Sequence, residues 1–406
     1  MTMNVKQNER LRALTARLVL ATGARSDEVF GVNAPLRVCP VGAHVDHQGG
    51  VVTGLTIDRS VMMAATPLPE PIFRIESLDF QGAVTVELTA AQPAPTGEWG
   101  DYARAAAGVL SARRRLDQGL YAVIGGDLAG AGLSSSAAVL ICYVLGLARA
   151  NRFDLPRRDV AALVQQAENS YIGVASGLLD QSIILFADKG HLTRVTVSDL
   201  SVERVSAHEG APEITVVVAF SGITRALAGS GFNTRVEECH EAARILLDRG
   251  GRTAGRRPLL SEAGPELFDR FAAELPENLR RRAAHFFGER RRVIDGVEAW
   301  RGGDLTRFGE LMSASGESSI RNYECGTPEL VTLFELLRDT PGVYGARFSG
   351  AGFGGTCVAL ADPAAGEEIA NAVSRGYAAA HPDAAANANC HLCTPAGAAR
   401  FVGGDD

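Results

Sequence analysis

Apolar residues recur at helical spacing through residues 7–21 and then alternate with polar ones, many of them β-branched, around residues 29–41, 50–65 and 73–88. The opening third therefore predicts one helix followed by strands. A helical pattern over residues 102–116 leads into a short strand at 121–124, and further helices are predicted near 137–151 and over 158–171. Residues 137–150 are so rich in Ala, Val and Leu that this helix is predicted to be buried. Strand patterning returns at 191–197 and 214–220, with His208-Glu209-Gly210-Ala211-Pro212 interrupting the two. Beyond lie long helices over 235–247 and 284–302 and a strand over 342–348, while residues 249–258, rich in Gly and Arg, read as a solvated loop. No internal repeat is evident. The class is α+β, and the break at 205–213 divides the chain into residues 1–210 and 211–406.

At 406 residues the chain is too long for one ordinary core, which agrees with two domains. Its 46% hydrophobic and 21% charged residues supply a core and exclude a disordered majority. A net charge of −7 gives no footprint for nucleic acid, though loops and helix ends bind anions whatever the overall charge. No apolar run reaches the roughly 18 to 20 residues of a membrane span, and the polar start lacks the apolar core of a secretion signal. The expected location is the cytoplasm, with no membrane partner. The seven cysteines are scattered and odd in number, as expected of reduced thiols. Cys390-His391-Leu392-Cys393 has no second pair, so it is expected to be part of a last strand rather than a zinc site.

The chemistry begins at Gly130-Ala131-Gly132-Leu133-Ser134-Ser135-Ser136-Ala137-Ala138, between the strand at 121–124 and the buried helix. Small residues let a backbone approach an anion, serines supply hydroxyls and caps, and the free N–H groups of a first helical turn point at negative charge. The run lacks the Lys-Ser or Lys-Thr of a Walker loop and the Gly-x-Gly-x-x-Gly of a dinucleotide fingerprint, so a different phosphate cradle is meant. A flexible linker has a similar composition. The apolar helix directly behind argues against that reading.

Two further glycine-marked segments stand far away: Arg37-Val38-Cys39-Pro40-Val41-Gly42-Ala43-His44-Val45-Asp46-His47-Gln48-Gly49-Gly50, and Phe348-Ser349-Gly350-Ala351-Gly352-Phe353-Gly354-Gly355-Thr356-Cys357. Together with the phosphate loop, and in this order, they resemble the three motifs of the GHMP small-molecule kinases, the first resembling the galactokinase branch. The resemblance spans nearly the whole chain and includes Glu98-Trp99-Gly100-Asp101-Tyr102, the segment Glu168 to Gln181, Arg321-Asn322-Tyr323-Glu324 and residues 342–347. It implies a two-domain GHMP kinase fold: an N-terminal domain like domain 2 of ribosomal protein S5, a ferredoxin-like C-terminal domain, and an active site in the cleft between them.

It also implies roles. ATP would bind at Gly130, Gly132, Leu133, Ser134, Ser135, Ser136 and Ala137, with Trp99 against the base, although a partly buried structural tryptophan is as common. Ser136 and Glu168 would hold Mg²⁺, a hard cation that keeps waters and completes its shell with phosphate oxygens. Asp180 would accept or orient the proton of the attacking hydroxyl, and Arg37 would keep it ionised and counter charge on the transferring group. The sugar would meet Ala43, His44, Asp46, His47, Gly177 and Phe232.

Two departures refine the substrate. Galactokinases read Gly-Glu-His-Thr-Asp-Tyr where this chain has Gly42-Ala43-His44-Val45-Asp46-His47, so the carboxylate near the 6-hydroxyl of galactose is gone. Phe232 stands where a sugar-binding tyrosine is usual. A substrate with its own C6 carboxylate would no longer meet a like charge, and the first motif is most similar to that of galacturonate kinases. The implied reaction is ATP-dependent phosphorylation of D-galacturonate at C1. Galactokinase proper is the alternative, followed by a non-catalytic sugar and ATP sensor and, lower still, a kinase of mevalonate-type acids. His47, Arg225 and Arg59 are the cations considered for the carboxylate. Oligomeric state is not legible.

Overall fold

The long strand β2 (Val51–Leu68) organises the first half of the molecule. Along one edge it pairs antiparallel with β1 (Phe30–Val38); along the other its C-terminal part pairs with β5 (Gly119–Gly126). Sheet order runs β13 (Arg400–Val402), β1, β2, β5, β3 (Ile72–Ser77), β4 (Ala83–Glu87), with β6 (His191–Thr196) and β12 (Pro395–Ala396) pairing with β2 and β7 (Ser201–Ser206) pairing with β6. The computed structural model describes residues 3–128, 133–223 and 231–403. Among these, no helix is long and apolar enough to cross a membrane.

Both faces of this sheet are covered, which explains why β1 is buried along its whole length. On one face α1 (Val5–Thr22) sets Leu14 and Leu18 over Met62, Ala64, Tyr121 and Val123. The intervening residues Met63, Ala65, Ala122 and Ile124 face the main core with α2 (Asp101–Ser111), α3 (Ser135–Ala150) and α4 (Arg157–Ala167). Period-two alternation thus serves two cores from one strand. α5 (Leu179–Phe186) follows a π-type turn at Glu168–Ile172.

β8 (Thr215–Phe220), β9 (Val343–Ser349), β10 (Thr356–Ala361) and β11 (Asn389–Cys393) form a second, antiparallel sheet in the order β11-β8-β10-β9. Counted within the sheet this is 4-1-3-2, the ferredoxin-like order. Val216, Val218, Val358 and Leu360 join the core that contains Val293, Val297 and Trp300 of α8 (Glu277–Arg301) and Phe308 of α9 (Leu305–Arg321). Val217, Ala219, Cys357 and Ala359 turn the other way, towards α10 (Pro328–Asp339) and α11 (Gly366–Ala380). α6 (Phe232–Arg249) and α7 (Leu260–Phe271) complete that second core. The short α12 (Pro382–Ala385) precedes β11, and β12 and β13 then return the chain to the first sheet.

Several expected boundaries move for local reasons. Residues 73–88 split into the β3–β4 hairpin, because Asp79 to Gly82 turn the chain. The helix expected to reach 116 stops at Ser111, ahead of the charged run Arg113-Arg114-Arg115. The helix over 158–171 changes hand-hold at Glu168, where the π-type turn begins. Residues 249–258 are a largely exposed loop, as their composition indicates.

Phe308 is fully buried and meets Trp300 edge-on, with ring centroids 5.1 Å apart. Phe308→Ala is expected to destabilise the protein by about 3–5 kcal/mol, read as a fall in the denaturant midpoint at unchanged slope. A loss below about 1 kcal/mol would mean that this part of the core carries little of the fold's stability.

Candidate active site

Arg37 sits near the end of β1, just after the register with β2 shifts between Pro35 and Arg37. Its guanidinium is buried, with a side-chain exposure of 3%, and a buried cation needs an anion. Nε and Nη2 both donate to Asp180 Oδ1, at 2.8 and 2.7 Å, while Nη1 donates to Ser349 Oγ at 3.0 Å. Asp180 occupies the first turn of α5 with 27% of its side chain exposed, so the pair shows its carboxylate rather than its cation. Among the described residues Asp180 Oδ2 accepts no hydrogen bond.

The pair borders a cavity of about 630 Å³ lined by both halves of the chain, from Arg37 and Ala43 through Ser134 and Glu168 to the β9–β10 loop at Gly350–Gly355. At one end lies the start of α3. Ser134, the residue before its first turn, has φ of 63°, and its buried hydroxyl has no partner among the described residues. Leu133 and Ala137 are buried behind it, and Ser135 and Ser136 line the cavity. Gly130 and Gly132 lie outside the described residues. Ser136 Oγ donates to Glu168 Oε1 at 3.3 Å, and Ser176 Oγ and Gln181 Nε2 donate to Oε2 at 2.8 and 2.6 Å. Burial, and then the negative charge of Asp180, push the Glu168 carboxyl up to about 7 despite those donors. Such a group favours a cation beside it.

At the other end the first motif makes a tight turn. Gly42 has φ of 89° and is hemmed in by Val51 and Val52, so a side chain fits there neither conformationally nor sterically. The turn is fastened from behind by α8. Glu289 Oε2 accepts from the N–H groups of Gly42 and Ala43 at 2.6 and 3.3 Å, and the Ala43 carbonyl accepts from His285 Nε2 at 3.0 Å. Burial works against ionisation of Glu289, but Arg292, His285 and Arg347 outweigh it and hold the carboxyl below its ordinary value. Ala43 is left with its methyl group on the cavity wall.

His44, in the left-handed region at φ 57°, stacks on Tyr323 with ring centroids 4.5 Å apart. Burial, and then the charge of Arg347, keep it neutral by lowering its pKa well below the usual value. Asp46 lines the cavity and accepts from the Leu179 N–H at 3.2 Å. Gly177 is required opposite it, because a Cβ there would run into the Asp46 carboxylate. Burial and the charge of Asp180 push Asp46 up to about 6. Phe232 also lines the cavity and meets the His47 ring edge-on at 5.9 Å.

His47 lies behind this wall. Gln48 Oε1 accepts from the Leu260 N–H at 3.1 Å, which turns its amide Nε2 towards His47 Nδ1, 3.1 Å away. Nδ1 is then the acceptor, and Nε2–H donates to the Tyr323 hydroxyl at 3.0 Å. Burial, and next the charge of His240, lower His47 to about 3, so it adds no positive charge to the site. Arg59 is also spoken for, by Asp58 at 3.1 Å and the Leu392 carbonyl at 3.3 Å, and does not line the cavity. Arg225 lies outside the described residues. Trp99 stacks on the half-exposed Phe80 at 6.1 Å, next to the cavity-lining Glu98 rather than in the lining itself.

Sequence reasoning gave no role to Ser176, Gln181, His285, Glu289 or Arg347. Their work is to hold other site residues, and no motif spacing announces that. The available signal was an arginine directly before the third glycine motif and an acidic residue, Glu289, directly before the basic run Arg290-Arg291-Arg292.

Two halves with one ferredoxin-like sheet, a serine-led helix start facing a buried glutamate, and an Arg–Asp pair at the cleft define a small-molecule kinase. Residues 101–188 match the GHMP kinases N terminal domain and residues 294–379 the GHMP kinases C terminal region, and the chain belongs to the GHMP kinase family. It is 38% identical to galacturonokinase of Arabidopsis thaliana, over 98% of this chain and 100% of that one. With galactokinase of Chloroflexus aggregans it shares 33% identity over 85% of this chain and 87% of the other. The structure of Lactococcus lactis galactokinase complexed with galactose superposes with a TM-score of 0.87 at 29% identity, covering 96% of this chain and 99% of that one. A mevalonate kinase structure, at 16% identity and TM-score 0.63, shares the fold. ATP use follows from the family.

Because the folded-state pKa of Asp46 is raised, its protonation stabilises the ligand-free protein fully below about 4, and that contribution is lost as pH rises through about 6. Asp46→Asn is therefore expected to melt higher than the parent at pH 8, by an amount worth roughly 2–3 kcal/mol, and to match it near pH 4. Thermal melting across pH checks this. A pH-independent difference would contradict the assignment of a strained carboxylate.

Proposed function

We propose that the protein transfers the γ-phosphoryl group of ATP to the anomeric C1 hydroxyl of D-galacturonate, giving galacturonate 1-phosphate and ADP. The observation that carries the substrate is Ala43. The tight turn presents only a methyl group where a galactokinase has a carboxylate, so a C6 carboxylate enters without like-charge repulsion. The full-length likeness to galacturonokinase supports the same reading.

In this reading the C1 hydroxyl lies against Asp180 Oδ2, which takes or orients its proton as the C1 oxygen attacks phosphorus and the bond to the ADP oxygen breaks. Arg37 pairs with Asp180 and, being buried, keeps its orientation fixed. Asp46 and neutral His44 read the ring hydroxyls, with Gly177 making room and Phe232 closing the wall. The α3 N-terminus, with the unpartnered Ser134 hydroxyl, meets the phosphates, and the glycine-rich β9–β10 loop brings the second sheet close to them. Trp99 and Phe80 would flank the base at the rim.

The buried Glu168, raised by burial and by the charge of Asp180 and 3.3 Å from Ser136 Oγ, fits Mg²⁺, and these two residues would hold it. When bound, magnesium neutralises charge on the β- and γ-phosphate oxygens. Residues 1–210 would supply the sugar motif, phosphate helix and Asp180, and residues 211–406 the loop and the α8 support, with the last strands crossing back. The expected location is the cytoplasm, where ATP is available.

The second reading is phosphorylation of galactose, favoured by the overlap with the galactose-bound galactokinase structure. ADP release with Mg-ATP and a panel of galacturonate, glucuronate, galactose and mevalonate separates the two. Galacturonate is expected to be turned over best, with Asp180→Ala lowering its kcat by at least about a hundredfold. Equal or better turnover of galactose would replace the uronate reading by the galactokinase one.

A further inference from the structure

Resting on the uronate reading above, we infer that Arg347 is the receptor for the substrate's C6 carboxylate. A buried pocket that accepts an anion must supply a cation, and among the described residues the cavity is lined by two, Arg37 and Arg347. Arg37 is neutralised by Asp180. Arg347, at the C-terminal part of β9, is fully buried and makes no ion pair among the described residues.

Its hydrogen bonds leave two donors uncommitted among the described residues. Nε donates to the Phe348 carbonyl at 2.9 Å, Nη1 to Ser315 Oγ at 2.5 Å and Nη2 to Ser319 Oγ at 3.3 Å. A guanidinium has five N–H groups, so one remains on each terminal nitrogen, two charged donors available to an incoming carboxylate. The two serines, both on α9, fix the plane of the group without touching its charge.

The position agrees. Arg347 is the charge acting most strongly on both Cys39 and His44, which lie on either side of Ala43 in the first motif and line the same wall. Ser315 also donates to Glu289 Oε2 at 2.9 Å, the oxygen that accepts the Gly42 and Ala43 N–H groups. Only a hydroxyl and a carboxylate thus separate Arg347 from the backbone of the residue whose side chain has been removed. Glu289 is occupied by four donors, the fourth being Arg292 Nε at 2.6 Å on Oε1. It positions the turn and does not neutralise Arg347 by contact. Removal of a wall carboxylate at residue 43 and an unpaired arginine behind it are two halves of one arrangement, which an incoming carboxylate completes.

The test is steady-state kinetics with galacturonate and galactose at saturating Mg-ATP for the parent, Arg347→Gln and Arg347→Lys. Arg347→Gln is expected to raise the galacturonate KM about 10- to 100-fold while the galactose KM moves less than about threefold, with Arg347→Lys in between. Parallel losses for both sugars, or a uronate preference that survives in Arg347→Gln, would overturn the assignment. Should the glutamine variant fail to melt cooperatively, Arg347→Lys decides through calorimetric binding of galacturonate against its neutral amide, galacturonamide. The parent must prefer the acid and the lysine variant must narrow that preference; an unchanged preference overturns the assignment. A parent enzyme that prefers galactose would instead refute the substrate reading on which the inference rests.

Discussion

The buried guanidinium of Arg37 constrains much of what surrounds it. A cation at that depth is held at least cost by a carboxylate and a further acceptor, and here the three groups come from places far apart in sequence. β1 supplies the arginine, α5 supplies Asp180 and the end of β9 supplies Ser349. α5 must therefore begin beside β1, and the second sheet must approach the first closely enough for Ser349 Oγ to accept from Arg37. The ion pair consequently couples the two sheets at the point where the cavity opens, leaving one carboxylate oxygen facing it.

Charge balance in the cleft follows from that pair. Asp180 raises the pKa of both Asp46 and Glu168, so the ligand-free cleft holds more carboxylate than its own cations neutralise near the phosphate end. Towards the sugar turn the imbalance is reversed, because Arg347 lacks an anion and His44 is kept neutral beside it. One cleft thus has an end that favours a cation and an end that favours an anion. On the proposed function, a metal-bound nucleotide and an acidic sugar would occupy those two ends, with C1 towards Asp180.

Much of this was legible in the chain because each motif encodes a backbone requirement. Gly42 and Gly177 mark close approaches that no other residue tolerates, and the Ser-rich run marks a helix start. β1 and β2 were readable because their β-branched residues alternate along extended stretches. The β3–β4 split was not, since a turn that includes Leu78 and Phe80 breaks the pattern less than the flanking alternation sustains it. α5 escaped because eight residues, six of them buried, carry no amphipathic signature. His47 is a cation candidate in sequence and a neutral buried donor in the fold, a difference made by Gln48, Tyr323 and burial, which only tertiary structure brings together. The same holds for Arg347, whose significance depends on what it does not touch.

A crystal structure of the protein with galacturonate and a non-hydrolysable ATP analogue tests the central claim most directly. The account predicts the anomeric oxygen within hydrogen-bonding distance of Asp180, in line with the γ-phosphorus, and the sugar carboxylate next to Ala43. A sugar bound with C1 turned away from Asp180, or with its carboxylate directed into solvent, would contradict it.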